Sequence, residues 1–317
     1  MGLEVNGAEP VKYRRLGKTG LRVSVIGVGT WQLGGEWGKT FEQAEVDAML
    51  ARAGEMGINL IDTAECYGDH LAERLVGRAI RGQREKWVIA TKFGHRFTAP
   101  FERNDVYQPA QVREQLEQSL RALQTDYVDL YQFHSGTDAM FDTPGLWEML
   151  RGLAEAGTIR HLGISISRRH AGVHQIEEAS AVGAEAVQVV YNRIERKAEQ
   201  DVLPLCLTQN LGVLARVPLA SGFLSGKYTR ESKFPETDMR GVWQHEEEKR
   251  SIVEQVERLR EDVPRGVPMA QWALAWCLQH PAVSCVIPGC KNVEQVESNA
   301  RAADLPSVSD SHPQAVG

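Results

Sequence analysis

Three successive apolar runs of this chain end in groups able to move protons. The first ends at Asp62, the second at Lys92 and the third at His134, and Tyr67 follows Asp62 by five residues. If these run ends meet in space, an acid, a base, an imidazole and a phenol stand together. Buried charges are costly unless paired, so Asp62 and Lys92 are expected as partners. An ammonium held beside a phenol favours the phenolate, which predicts a Tyr67 pKa lowered from its reference of about 10. Taken singly, each residue has a plainer reading: a structural ion pair for Asp62 and Lys92, and a core histidine for His134. Their combination points to general acid–base chemistry.

The elements that must position them are legible as a pattern. Short β-rich runs cover residues 23–28, 58–61, 87–90, 127–133, 159–164, 186–190, 213–217 and 283–287. Amphipathic stretches of helical period lie between them, including 41–56, 109–123, 147–155 and 269–279. Pro109 suits a first helical turn, and Gly57, Gly157 and Gly183 fall where helices should stop. Strands separated by helices predict an α/β fold with a parallel sheet. Eight such units favour a closed (β/α)8 TIM barrel over an open doubly wound sheet, and barrel chemistry lies where strands end. No linker or repeat divides the chain, so one domain is expected over 1–317, with the barrel over about 13–305 and a poorly ordered tail over 306–317. The long non-periodic segment 221–244 is expected to be a functional loop.

Composition removes several function classes. A net charge of −6 leaves no basic footprint for nucleic acid or an anionic membrane. The five cysteines include no C-x-x-C pair, which suggests neither a disulfide framework nor a zinc site, and no metal is expected. No apolar run reaches membrane-spanning length, and residues 1–10 carry two Glu and no hydrophobic core, unlike a signal peptide. A cytoplasmic location is expected. Gly27-Val28-Gly29 begins a dinucleotide fingerprint, but Gln32 holds the third glycine position. Gly17-Lys18-Thr19 ends like a phosphate loop, but Lys12 holds its upstream glycine position.

Segments 62–68, 90–94, 129–134, 159–165, 218–228 and 287–299 together resemble the aldo-keto reductase superfamily. The run Gly222-Phe223-Leu224-Ser225-Gly226-Lys227-Tyr228 is most similar to the bacterial branch that also resembles potassium-channel β subunits. The resemblance implies NAD(P)H-dependent reduction of an aldehyde or ketone. In it Tyr67 is the proton donor, Lys92 and Asp62 tune it, and His134 orients the carbonyl. It also implies a cofactor site that Asp62 borders. Gly29, Thr30 and Trp31 lie under the nicotinamide and its ribose, and Ser165 and Gln188 meet the carboxamide. Pro218, Leu219, Ser221, Gly222 and Lys227 wrap the pyrophosphate, and Gly289, Lys291, Gln295 and Asn299 hold the adenosine end. Loops after the last strands and a helix N-terminus do favour phosphate.

This chain departs from the family pattern at three positions. Ile166 replaces a common asparagine, which shifts weight to Ser165, Ser167 and Gln188. Arg216 replaces an aromatic residue that stacks on the nicotinamide, either stacking in its place or pairing with a carboxylate. Gln295 stands where an arginine is frequent. Lys291, with no acidic ribose-gripping residue, predicts NADPH as cofactor, with NADH possible. Trp31 and Trp37 are expected to wall a substrate pocket, Cys66 to pack beside the tyrosine, and Trp272 and Trp276 to lie in the core. The partner expected is a small-molecule carbonyl substrate; the oligomeric state is left open. Two other functions are consistent with the same residues: an NADPH-occupied redox sensor or accessory subunit with little turnover, and a barrel lyase using Lys92 as a Schiff base.

Overall fold

A computed structural model describes residues 11–168, 172–243, 245–306 and 311–316. Eight parallel strands follow one another around the sheet in chain order: β1 Val28–Gly29, β2 Leu60–Asp62, β3 Val88–Phe93, β4 Val128–His134, β5 Ile159–Ser165, β6 Ala184–Val190, β7 Gly212–Arg216 and β8 Val283–Val286. Parallel bridges Ile26↔Val286 and Gly29↔Gly289 join the two edges, supported by Gly27 N–H donating to the Val286 carbonyl (2.8 Å). The sheet is therefore a closed barrel. Closure demands a bare backbone at Gly29, where a Cβ would meet the Ile287 carbonyl oxygen at 2.8 Å.

The strands are buried on both faces, as parallel strands covered by helices must be; all six residues of β3 are buried. Leu60, Val88, Ala90, Leu130, Ala186, Leu214 and Cys285 fill the barrel interior, with Leu16 and Val23 plugging its floor. A larger apolar layer lies between the strands and the helices around them. Helix α1 (Gln43–Glu55) starts with a capping box between Glu42 and Glu45, and α2 (Leu71–Ala79) follows β2. Helix α3 (Pro109–Leu123) has its proline in the first turn and a capping box from Gln108 to Gln111. Helices α4 (Leu146–Glu155), α5 (Val173–Glu177), α6 (Val202–Thr208), α7 (Met269–Cys277) and α8 (Val293–Ala300) complete the ring.

Several boundaries differ from the sequence pattern. The run expected as the first barrel strand is split. Arg22–Ser24 pairs antiparallel with Tyr13–Arg15 under the barrel, and only Val28–Gly29 joins the main sheet. The tail is not uniformly loose: Ala315–Val316 adds a third strand to that hairpin, and Gln314 Oε1 accepts from the Ser284 hydroxyl (2.6 Å). Residues 307–310 and 317 lie outside the described residues. A hairpin of His95–Ala99 and Glu102–Asp105 follows β3, and a helix, Glu246–Leu259, precedes α7. Trp272 and Trp276 are half-buried instead of core, Trp276 lying against Tyr191 and the Arg193 and Arg196 guanidiniums. Among the described residues no helix is long and apolar enough to cross a membrane.

Candidate active site

Lys92, on β3, is completely buried at the mouth of the barrel. Its ammonium donates to Asp62 Oδ1 (2.8 Å), the Thr63 carbonyl (2.7 Å) and the Tyr67 hydroxyl (3.2 Å). All three N–H donors are used, so this lysine is not the free amine that Schiff-base chemistry requires. The other Asp62 oxygen accepts from Gln188 Nε2 (2.6 Å), and the Gln188 oxygen lies 3.5 Å from the Ser165 hydroxyl. Burial opposes the Lys92 charge, but Asp62 and Tyr67 hold its pKa above the ordinary value. Tyr67 reaches Lys92 because the chain turns sharply after β2, with Tyr67 N–H donating to the Ala64 carbonyl (3.2 Å).

The lowered phenol pKa expected from Lys92 is not found. Burial pushes Tyr67 up to about 12, and the favourable ammonium only partly offsets that burial. At neutral pH Tyr67 is therefore a protonated donor. His134 ends β4 edge-on to Tyr67, with ring centroids 6.2 Å apart. Burial, with His95 and Lys92 nearby, holds it well below the usual histidine range, so it is a neutral imidazole. Its Nδ1 lies 3.8 Å from Cys66 Sγ and 3.9 Å from Glu65 Oε1. Burial raises the Cys66 thiol pKa, which suits the packing role expected of it. Glu65, Cys66 and His134 place ligand atoms within 4.8 Å of one another, the one such group among the described residues.

A cavity of about 910 Å³ opens at the strand ends. Tyr67, His134 and Asp62 line it, with Gly29, Thr30, Trp31, Gln188, Arg216, Pro218, Leu219, Ser221, Gly222, Lys227, Gly289, Lys291, Gln295 and Asn299. Lys92 and Ser165 lie behind the wall, in contact with Tyr67 and Gln188 respectively. At one end Trp31 stacks on Tyr67 (6.0 Å) and meets Trp37 (5.2 Å) and Trp243 (5.9 Å), so the expected tryptophan wall has a third member. Toward the end of the cavity bounded by the loops after β7 and β8 stand Lys227, Arg240 and Lys291.

Arg240 and Trp243 were not singled out by sequence, although both belong to the long segment read as a functional loop. That segment is fastened across the mouth. Trp37 and Asp238 form an antiparallel bridge, Gly38 N–H donates to the Thr237 carbonyl, and Met239 N–H donates to the Glu36 carbonyl (2.9 Å each). Lys291 Nζ adds a bond to the Trp37 carbonyl (2.6 Å), and a two-pronged pair with Asp238 (2.6 and 2.8 Å) fixes Arg240. Gln32, noticed only as a missing glycine, packs on Gly289 and leaves its Oε1 buried without a partner.

These features fit an elongated anionic dinucleotide. Lys227 and Lys291 stand at one end beside the Asp238-paired Arg240, α8 begins there behind its Asn292 cap, and Gln32 Oε1 and Arg216 Nε are buried polar atoms lacking partners. The arrangement at the other end can deliver a proton from Tyr67 to an oxygen held near His134.

The aldo/keto reductase family model matches residues 25–315. The chain is 32 % identical over 300 residues to an aldo-keto reductase, YhdN, of Bacillus subtilis, covering 91 % of this chain and 87 % of that protein. Among solved structures it is similar to the holo form of aldo-keto reductase AKR11C1 from Bacillus halodurans, at 30 % identity and a TM-score of 0.78, over 95 % of this chain and 94 % of that one. It also resembles the glycerol dehydrogenase AKR11B4 from Gluconobacter oxydans, at 28 % identity and a TM-score of 0.76, over 95 % and 96 % of the two chains. Barrel, strand-end residues and relatives agree: this chain belongs to the aldo/keto reductase family of oxidoreductases.

Proposed function

We propose that the protein reduces an aldehyde or ketone to an alcohol with NADPH, Tyr67 acting as the general acid. The observation that carries this reading is the chain Asp62–Lys92–Tyr67, bonded at 2.8 and 3.2 Å, beside His134 on the cavity wall. A bound nicotinamide supplies the hydride. The substrate oxygen is received by the Tyr67 hydroxyl and by the N–H of the neutral His134 imidazole. As negative charge grows on that oxygen, the Tyr67 O–H proton passes to it, and the Lys92 ammonium bonds the phenolate left behind. Asp62 keeps the ammonium aimed at Tyr67 while Gln188 and Lys92 occupy its oxygens.

In the same reading Gly29, Thr30, Trp31, Gln188 and Arg216 surround the nicotinamide end. Residues 218–222 and Lys227 follow the pyrophosphate, and Gly289, Lys291, Gln295 and Asn299 meet the adenosine. Lys291 has spare N–H donors beyond its bond to Trp37, which supports NADPH over NADH. Tenfold selectivity needs only about 1.4 kcal/mol, within the range of one charge-assisted contact.

Steady-state oxidation of NADPH and NADH against aldehydes, ketones, ketosugars and quinones tests the proposal. It requires turnover with at least one carbonyl class and a lower dissociation constant for NADPH, with the difference reduced in Lys291→Ala. The bridged loops also favour slow cofactor exchange, as a redox-sensing subunit would use. Tight NADPH retention without turnover of any carbonyl selects that second reading.

A further inference from the structure

Arg216 ends β7 and lines the cavity. Its Nη2 donates to the Ile166 carbonyl just past β5 (2.9 Å), and its Nε is buried without a partner. Among the described residues no carboxylate pairs with it. Asp62, the acid nearest the chemistry, is committed to Lys92 and Gln188, and Glu195 pairs with Arg168 at 2.7 Å. The Arg103–Glu36 and Lys92–Asp62 pairs are each neutral as units. Glu248, which also lines the cavity, lies 4.0 Å from Arg168, and Glu65 lies 3.9 Å from His134. Arg216 is thus a positive charge at the cavity wall with no carboxylate bonded to it; Asp62 and Glu195 favour its charge only from a distance, and each is paired with another cation.

The reaction itself supplies a group on which that charge can act. The nicotinamide ring carries +1 when oxidised and none when reduced, whereas the charge on the pyrophosphate is the same in both forms. Hydride transfer to a carbonyl held by Tyr67 and His134 requires the ring to lie beside those residues. The Arg216 charge reaches both: it disfavours the protonated form of His134 and interacts with Tyr67.

We propose that Arg216 tunes the bound cofactor, destabilising the oxidised, cationic nicotinamide relative to the reduced, neutral one. The site then holds NADPH for reduction and loosens NADP⁺ once the hydride has left. The couple is NADP⁺ plus two electrons and one proton giving NADPH, and only the ring charge differs at Arg216. This inference rests on the dinucleotide reading above.

The test is a pair of dissociation constants, for NADPH and NADP⁺, measured by fluorescence or calorimetry on wild type, Arg216→Met, Arg216→Gln and Arg216→Lys at fixed pH and salt. Wild type should bind NADPH more tightly. Met and Gln should shrink the ratio about tenfold, chiefly by tightening NADP⁺, and Lys should keep most of it. A tenfold change corresponds to about 30 mV in the potential of the bound two-electron couple. A ratio unchanged in both Met and Gln, or equal weakening of both nucleotides, overturns the proposal and leaves Arg216 as a positioning residue. Failure of wild type to bind either nucleotide overturns the dinucleotide reading itself.

Discussion

Tyr67 is pulled in two directions. Burial disfavours its phenolate, the Lys92 ammonium favours it, and burial prevails, leaving the pKa near 12. The proposed reduction needs the protonated phenol, so its rate should stay flat between about pH 6 and pH 10. A fall governed by a group titrating below pH 9 would contradict this burial. Tyr67→Phe should lower kcat by roughly 10²–10⁴-fold, the usual weight of a general acid, with little change in NADPH affinity. Near wild-type turnover in that variant would mean another group donates the proton. Lys92→Met leaves Asp62 as a buried charge without its cation, so it should cost about 3–5 kcal/mol in urea unfolding as well as activity. Asp62→Asn combined with Lys92→Met should recover much of that stability but not the turnover.

Asp62, Lys92 and His134 are held by the strands themselves, whereas Tyr67 stands in the loop after β2, and two glycines set how closely that loop approaches the one after β1. A Cβ on Gly34, in the loop after β1, would lie 2.8 Å from the Tyr67 carbonyl carbon, and one on Gly68 would lie 2.6 Å from the Gly34 oxygen. Backbone stands against backbone there, so neither neighbour can yield cheaply. Gly34→Ala should therefore move Tyr67. Misplacement of about 1 Å costs on the order of 10²-fold in rate, so kcat should fall well beyond any change in NADPH affinity. If kcat and the melting temperature of Gly34→Ala both match wild type, the contact does not position Tyr67.

The proposed chemistry lies at one end of the barrel, and the other end carries contacts that hold the fold, a division usual for this architecture. On the floor the buried Arg14 donates to the carbonyls of Val283 (2.8 Å) and Leu278 (3.0 Å). Arg14→Met should lose about 2–4 kcal/mol by leaving those oxygens unpartnered, while kcat in the folded fraction stays within about twofold. Nearby, burial lowers the His312 pKa from 6.5 to about 4, and its Nδ1 accepts from Gln314 N–H (3.1 Å). The unfolded chain binds this proton more readily, so stability rises with pH across that interval and is lost as pH falls from about 6.5 toward 4. Thermal melts of wild type and His312→Asn should converge as pH drops through that window; parallel curves would exclude His312 as a source of acid sensitivity.

By itself the sequence determined the barrel and the strand-end group. Parallel strands covered on both sides are written as short apolar runs, and a polar residue ending such a run is conspicuous, as Asp62, Lys92 and His134 are. The tail strand, the floor hairpin and the fastening of Trp37 to Asp238 were not legible, because they pair segments far apart in the chain through backbone groups that any residue supplies. Tyr67 and Arg216 show the deeper limit. Their types and positions were readable, but the direction of the Tyr67 pKa depends on how completely its surroundings exclude water. The isolation of Arg216 depends on which carboxylates are already taken by Lys92, Gln188 and Arg168. Both are sums over many neighbours in space, and only the folded packing of the chain decides such sums.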